Sequence, residues 1–171
     1  PRGDEDVLGS VDAFLVLEWI EAAPALPHFW EDFGQKLAAL HRVQADAFGL
    51  DHSNYIGSLP QSNARHSDWA SFFAEERLEP QLQMAMDASK MTQQDMHLFE
   101  KLYRKLSVIF PNEPPALLHG DLWSGNFMVD NTGAPCLIDP AVYFGHREID
   151  LSMTKLFGGF SSQFYEAYHQ E

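Results

Sequence analysis

Three short apolar runs, which follow a proline-rich break at 111–115, restrict the possible folds more than any other feature of the chain. They span residues 116–118, 127–129 and 136–138 and are separated by Gly, Asn and Asp. Runs this short predict strands rather than helices. The segment 131–133, Asn-Thr-Gly, stands between the second and third runs and predicts a hairpin turn. We therefore expect a small β-hairpin in this part of the chain.

The residues before the break predict helices. Apolar residues at three- and four-residue steps predict one from about 28 to 45. A second is expected from about Ser67, with Pro80 kinking or dividing it. A third is expected to start at Thr92, whose hydroxyl can cap it while Asp95 reaches back.

Two stretches between and after these helices complete the outline. Residues 49–66 contain several Gly, Asn, Asp and Pro residues and predict a loop. A further helix is expected near Asp150, with an interruption at 158–159, Gly-Gly. The predicted fold class is therefore α+β, a mostly helical body that carries a small β-hairpin.

The stretch from Ala13 to Ile20 is rich in β-branched and aromatic residues and predicts a buried strand. It is short and interrupted by Glu18, far below the length that crosses a membrane. No basic region precedes an apolar run at the start, so no signal peptide is predicted. From the polar start and the helical pattern at 168–171, we expect both ends to be cut rather than finished.

The composition limits the size of the core, the kind of partner and the expected location of the protein. The chain has 171 residues, 45% of them hydrophobic, which is enough for one core. A formal charge of −14, with only 11 basic residues, argues against a nucleic-acid partner. Cys136 is the sole cysteine, so no intrachain disulfide can form, and a cytoplasmic location is expected.

Polar residues around the predicted hairpin are candidates for chemistry. Asp121 closes the segment His119-Gly120-Asp121, Asn126 follows it by five residues, and Asp139 follows Asn126 by thirteen. Phosphoryl transfer from ATP needs a carboxylate near the attacking hydroxyl and oxygen ligands that hold Mg²⁺ against the phosphates. The order of an Asp, an Asn five residues later and a second Asp on an adjoining strand matches that requirement.

The motif at 118–126, Leu-His-Gly-Asp-Leu-Trp-Ser-Gly-Asn, resembles the signature of the fructosamine kinase (ketosamine-3-kinase) family. The blocks at 139–143 and 145–151 are similar to the family's next segment, and 48–61 and 69–75 resemble its middle region. That family is part of the aminoglycoside phosphotransferase-like branch of the protein-kinase-like fold. The resemblance implies a mostly helical large, C-terminal lobe.

The resemblance also implies roles for individual residues. Asp121 would be the catalytic base for a sugar hydroxyl, and Asn126 and Asp139 would bind Mg²⁺. The backbone carbonyl of Glu18 and the backbone N–H of Ile20 would contact the adenine of ATP.

Five further residues around this motif are expected to contact the sugar or to support the structure. Trp123 would face the sugar, with a packing role as the alternative. Asp150 would support the catalytic loop. His119 is expected to be a structural hydrogen-bonding group rather than a proton carrier, and His146 and Arg147 are expected to be structural.

The family's Gly-rich phosphate loop, strand lysine and helix glutamate normally precede the hinge, and this sequence contains no G-x-G-x-x-G. The resemblance therefore implies that residues 1–24 are the last small-lobe strand and the hinge, with 14–20 as the strand. Residues 25–171 would be the catalytic lobe, with its C-terminal end truncated. We expect the small lobe to be largely absent and the chain alone to be inactive.

The expected reaction is ATP-dependent phosphorylation of the 3-hydroxyl of a fructosamine or ketosamine, which suggests a deglycation or repair role. One alternative is a kinase of another small alcohol, such as an aminoglycoside, choline or a homoserine-like compound. The other is a non-catalytic binding domain, either a pseudokinase or a truncated product. No nucleophile elbow surrounds Ser124, and no metal-binding His or Cys spacing occurs.

Overall fold

The computed structural model describes residues 15–171. Its first half contains α1 (Phe29–His41), β1 (Asn54–Ile56), β2 (Leu59–Gln61), α2 (Trp69–Phe72), a π-helical turn (Phe73–Leu78) and α3 (Glu79–Asp87). Its second half contains α4 (Gln93–Tyr103), α5 (Leu106–Ile109), β3 (Ala116–Leu118), β4 (Phe127–Val129), β5 (Pro135–Leu137), β6 (Tyr143–Gly145), α6 (Glu148–Phe157) and α7 (Ser162–Gln170). The fold is α+β, with short strands among the helices.

The predicted helices are present. Pro80 lies in the first turn of α3, where proline's missing N–H costs no hydrogen bond, so the second predicted helix is divided there. Thr92 and Asp95 form the expected capping box at the start of α4, with the Thr92 backbone N–H donating to Asp95 at 2.8 Å. Among the described helices, none is long and apolar enough to cross a membrane.

The prediction of a buried strand over 13–20 is wrong for its described part. Residues 15–20 have no regular structure, and Leu15, Val16, Leu17 and Trp19 are between 75% and 89% exposed. A strand is stabilised by hydrogen bonds to a neighbouring strand, and no described strand pairs with this segment. Residues 13 and 14 lie outside the described part of the chain, as does most of the range 1–24.

The loop predicted over 49–66 is also wrong in part, because it contains a hairpin. β1 and β2 pair in antiparallel fashion, with Asn54 opposite Gln61 and Ile56 opposite Leu59. The two-residue connection begins at Gly57, which has a φ of +55°, the left-handed conformation that such tight turns require. This hairpin lies beside the candidate site described below.

The hairpin predicted in the C-terminal half is confirmed. β4 and β5 pair in antiparallel fashion, with Phe127 opposite Leu137, and the connecting turn includes residues 131–133. The sequence did not predict β6, which pairs with β3 in antiparallel fashion and sets Leu118 opposite Tyr143. The segment 119–126 therefore leaves the β3–β6 pair and enters the β4–β5 hairpin.

Two hydrophobic clusters flank that segment. The first joins α1, α6 and α7 and contains Phe29, Phe33, Leu37, Ala38, Leu122, Leu151, Phe164 and Tyr168. The second lies around the β3–β6 pair and contains Phe48, Trp69, Phe72, Ala116, Leu118 and Tyr143. Leu118 and Leu122 are each at most 1% exposed, so the segment between them is anchored in both clusters.

Candidate active site

The candidate site is built on the loop 119–126, which connects β3 to β4. Asp121 is half-buried, while its neighbour Leu122 is fully buried in the first cluster. Because Leu122 is fixed by packing, the main chain at Asp121 is held at the surface of a cleft. This arrangement presents a carboxylate to solvent from a rigid backbone.

Gly120 allows the loop to pass close to the segment that follows Asp139. Its φ of +83° is left-handed, and a Cβ atom there would stand 2.1 Å from the carbonyl oxygen of Ala141. No side chain fits at that distance. The backbone N–H of Ala141 in turn donates to the carbonyl of His119 at 2.9 Å. The two segments therefore lie against each other.

Asp150 holds the same loop from α6. Its side chain is fully buried and accepts the backbone N–H of His119 at 2.8 Å and that of Gly120 at 2.9 Å. The Nε2 atom of His41 lies 3.2 Å from Asp150 Oδ2. A buried carboxylate with three donors is well satisfied, and its contacts order the loop.

Asp150 is connected to α7 by hydrogen bonds through His41. The hydroxyl of Tyr168 lies 2.7 Å from His41 Nδ1. Burial raises the pKa of Tyr168 to about 12, so the hydroxyl stays protonated in the folded protein. Because a carboxylate only accepts hydrogen bonds, His41 donates from Nε2 to Asp150. A chain of hydrogen bonds thus runs from α7 through α1 to the loop.

The ring of His119 joins the loop to the end of β5. Its Nδ1 accepts the backbone N–H of Asp121 at 3.3 Å, and its Nε2 lies 2.9 Å from the carbonyl of Ile138. Since a carbonyl only accepts, Nε2 carries the proton and the ring is neutral. Both nitrogens are engaged by the backbone, which fits a structural role.

Asn126 is directed at Asp121. Its Nδ2 atom donates to the backbone carbonyl of Asp121 at 2.8 Å and to the carboxylate oxygen Oδ2 at 3.0 Å. Among the described residues, neither Asn126 Oδ1 nor Asp121 Oδ1 receives a hydrogen bond. Each group therefore keeps one oxygen without a hydrogen bond, but Asp121 lines the cleft described below, whereas Asn126 is 5% exposed and is not among the residues that line it.

Asp139 lines the same cleft as Asp121. The backbone N–H of Ile138 donates to the carbonyl of Asn126 at 3.1 Å, so the hairpin sets the residue before Asp139 against Asn126. Asp139 has a φ of +52°, a left-handed conformation that is uncommon for a residue other than glycine. Asp121 and Asp139 both line a cleft of about 390 Å³.

Three predicted site residues lie elsewhere in the described structure. Trp123 is not among the described residues that line the cleft of Asp121. Its side chain is 40% exposed, lies over Gly125 and packs against Phe157, with the ring centroids 6.2 Å apart. Glu18 is exposed and Ile20 half-buried, and neither lines that cleft.

His146 and Arg147 make structural contacts. The buried His146 ring accepts the backbone N–H of Glu148 through Nδ1 at 3.3 Å and donates from Nε2 to the carbonyl of Pro111 at 3.2 Å. Arg147 pairs with Glu113 at 2.6 Å. Together these bonds attach the start of α6 to the proline-rich segment.

Sequence reasoning missed one part of the site, the β1–β2 hairpin. Asn54, Tyr55 and Gly57 line the same cleft as Asp121 and Asp139. The available signal was Gly57 between two stretches that can form strands, but a run of only three residues on each side is too short for its periodicity to be recognised.

Comparison with known proteins places the chain in a family. Residues 7–171 match the family model described as Fructosamine kinase. The probable ketoamine kinase of Synechocystis sp. is 44% identical over 158 residues, which are 92% of this chain and 53% of that protein. Ketosamine-3-kinase of Mus musculus is 40% identical over 132 residues, 76% of this chain and 42% of that protein.

The three-dimensional comparison agrees. A fructosamine-3-kinase homologue from Thermobifida fusca YX-ER1, solved by crystallography, superposes with a TM-score of 0.82 at 41% identity. The match covers 90% of this chain and 54% of that one. The chain spans about half the length of the curated relatives it matches. From the family model, the sequence identities and the shared fold, the chain belongs to the fructosamine kinase family.

Proposed function

We propose that the protein transfers the γ-phosphoryl group of ATP to a hydroxyl of a ketoamine, namely the 3-hydroxyl of a fructosamine or ketosamine. The observation that carries the proposal is that Asp121 and Asp139 line one cleft, with Asn126 bound to Asp121 behind it. Relatives named ketosamine-3-kinase in Mus musculus and protein-ribulosamine 3-kinase in Arabidopsis thaliana support the choice of acceptor.

Asp121 acts as the base in this mechanism. The hydrogen bond from Asn126 occupies Oδ2, and Oδ1 is the oxygen that can accept the proton of the attacking hydroxyl. Because Asp150 and Leu122 hold the loop, the carboxylate needs little rearrangement before it receives the hydroxyl. Removal of the proton makes the oxygen a better nucleophile as its bond to phosphorus forms.

Asn126 and Asp139 are the proposed ligands of Mg²⁺. A carboxamide oxygen and a carboxylate are hard oxygen donors of the kind this ion prefers, and Mg²⁺ is commonly held by one or two carboxylates together with phosphate oxygens. Among the described residues, no group of three His, Cys, Asp or Glu side chains is arranged to hold a metal ion. When bound, the ion neutralises charge on the transferring phosphoryl group.

The nucleotide side of the site is proposed to lie along the segment before α1. Ala23 donates its backbone N–H to the carbonyl of Val129 at 3.3 Å, and Leu26 donates to that of Gly133 at 3.2 Å. The segment therefore follows the β4–β5 hairpin, which leads to Asp139. Glu18 and Ile20 precede it, and their backbone groups would contact the adenine.

The proposed organisation is a protein-kinase-like one, with 1–24 as the end of a small lobe and hinge and 25–171 as the large lobe. The apolar side chains exposed at 15–19 fit a segment that another part of the protein covers. On this proposal the chain alone phosphorylates slowly or not at all, since it contains no Gly-rich phosphate loop. A cytoplasmic location and the absence of a nucleic-acid partner stay predictions.

The test is release of ADP from Mg-ATP in the presence of fructosyl-lysine or ribulosyl-lysine, with the longest protein in which this chain occurs. The Asp121→Asn variant is the control, because it keeps the size of the side chain but removes the base. Ketoamine-dependent turnover that is lost in the variant is expected. If ADP is released only with an aminoglycoside, choline or homoserine, the protein is a kinase of that alcohol and not of a ketoamine. If the folded protein releases ADP with none of the acceptors tested, the kinase proposal fails and a non-catalytic binding domain is the remaining interpretation.

A further inference from the structure

The β1–β2 hairpin is attached directly to the segment that follows Asp139. Asn54 Nδ2 donates to the carbonyl of Val142 at 2.8 Å, and Gln61 Nε2 donates to that of Ala141 at 3.1 Å. One bond comes from each strand of the hairpin. Its position relative to Asp139 is therefore set by hydrogen bonds from both strands.

A network of buried carboxamides makes this attachment rigid. Asn54 Oδ1 accepts from Gln61 Nε2 at 2.9 Å and from Asn63 Nδ2 at 2.9 Å. Gln61 and Asn63 are 5% and 1% exposed. Buried polar groups that are satisfied by one another fix a single arrangement, because any shift leaves a donor or acceptor without a partner.

Tyr55 stands out on this rigid support because its side chain is free. It is 66% exposed, while Asn54 and Ile56 on either side are half-buried. The described residues provide no hydrogen-bond partner for its hydroxyl and no aromatic contact for its ring. It lines the cleft of about 390 Å³ that contains the carboxylates of Asp121 and Asp139.

The two hairpins contact different parts of the chain around Asp139. The β4–β5 hairpin precedes Asp139 and bonds to residues 23–26, on the proposed nucleotide side. The β1–β2 hairpin bonds to residues 141 and 142, which follow Asp139. The side of the cleft formed by Tyr55 is thus left for the group that receives the phosphate.

We propose that Tyr55 binds the acceptor and contributes to its specificity, an inference that rests on the proposed function. A ketoamine joins a polyhydroxylated sugar to a secondary amine, which is protonated near neutral pH. An aromatic face attracts such a cation and packs against the C–H groups of the sugar. The carboxylate of Asp121 in the same cleft favours that positive charge, whereas a neutral sugar would gain only the packing.

The experiment measures KM for fructosyl-lysine and KM for ATP in the longest protein in which this chain occurs. Tyr55→Ala removes the ring, and Tyr55→Phe keeps the ring but removes the hydroxyl. Leu59→Ala is the matched control, because Leu59 is 40% exposed on the same hairpin and lines a different cleft, beside Arg77.

Tyr55→Ala is expected to raise KM for fructosyl-lysine on the order of tenfold, with KM for ATP unchanged. Tyr55→Phe should stay within about twofold of the wild type, because the ring carries the interaction. Leu59→Ala should leave both constants unchanged. The fold-increase for Tyr55→Ala should be smaller for an uncharged sugar acceptor, which lacks the ammonium group.

Other results would overturn the inference. If the wild type phosphorylates fructosyl-lysine and Tyr55→Ala keeps its KM, the inference fails while the proposed function stands. If KM for ATP rises in parallel, or Leu59→Ala has an equal effect, the change reflects a disturbed hairpin and the inference fails as well. If the wild type does not phosphorylate any ketoamine, the proposed function fails and this inference fails with it.

Discussion

The carboxylate of Asp150 accepts the backbone N–H of His119 at 2.8 Å, although 31 residues separate the two along the chain. The same carboxylate accepts the N–H of Gly120 and is reached by His41, so it links α6 and α1 to the loop of Asp121. The proposed base, Asp121, is therefore positioned by a buried carboxylate that is not among the residues lining the cleft.

Replacing Asp150 with Asn should destabilise the protein by about 3 kcal/mol and lower kcat. The new amide would place its NH₂ group against one of the donors that now bond to the carboxylate, namely the backbone N–H of His119, that of Gly120 or His41 Nε2. Two donors cannot bond to each other, so a buried polar atom would be left unsatisfied. Urea unfolding gives the free energy, and the rate of ADP release gives kcat. Asp46→Asn, at an exposed aspartate, is the matched control and should change the free energy of unfolding by less than about 0.5 kcal/mol. Equal stability of the two variants would contradict this account.

Gly120→Ala should be far more destabilising than Gly57→Ala, although both glycines have a positive φ. At Gly120 the new Cβ would meet the carbonyl of Ala141 at 2.1 Å, whereas at Gly57 nothing lies within 4 Å. We expect Gly57→Ala to cost about 1 kcal/mol, the backbone strain alone, and Gly120→Ala to cost clearly more. Thermal and urea unfolding of both variants measures the difference, and similar costs would show that the loop can move away from Ala141.

Asp139→Asn should raise the Mg²⁺ concentration needed for half-maximal activity by at least about tenfold, since it would remove the charge of a proposed Mg²⁺ ligand. Asp130→Asn is the control on the same hairpin, because Asp130 accepts the backbone N–H of Thr132 in the turn. That variant should keep the Mg²⁺ dependence of the wild type. If Asp139→Asn also keeps it, Asp139 is not a metal ligand.

Tyr143 should make the protein less stable at alkaline pH. Burial raises the pKa of Tyr143 to about 12 from a usual value of 10.0, so the folded protein favours the neutral hydroxyl. The contribution of this neutral hydroxyl to the free energy of unfolding is complete below pH 10. It is lost as pH rises towards about 12, and the loss reaches up to about 3 kcal/mol. Tyr143→Phe keeps the ring against Phe72 and should show a shallower decline in the free energy of unfolding over that range. Parallel curves for the two proteins would contradict the expectation.

The core of the candidate site was predictable because its signals are local. Asp121, Asn126 and Asp139 lie within one loop and the hairpin that follows, so their spacing already indicates that a turn brings them together. Thr92 and Pro80 were predictable for the same reason, since capping and proline geometry act within a single turn. The family resemblance added the expectation that Asp150 supports the loop.

The missed features depend on contacts between distant segments. β6 has three residues and is stabilised by β3, so its own sequence contains too little periodicity to predict it. The hairpin of Tyr55 is held by bonds to residues 141 and 142, which lie 80 and 88 positions beyond their donors Gln61 and Asn54. The strand predicted over 13–20 is the reverse case, in which a strand-like sequence is present but its described part forms no strand. A sequence that favours a strand does not by itself supply the neighbouring strand to which it must bond.

The most direct test of the central claim is to incubate the longest protein in which this chain occurs with Mg-ATP and fructosyl-lysine, and to follow the phosphate by ³¹P NMR. Wild-type protein should form a sugar phosphate ester at the 3-position. Asp121→Asn should bind both substrates but form the ester at least about 100-fold more slowly. An ester formed equally fast by the variant would contradict the assignment of Asp121 as the base.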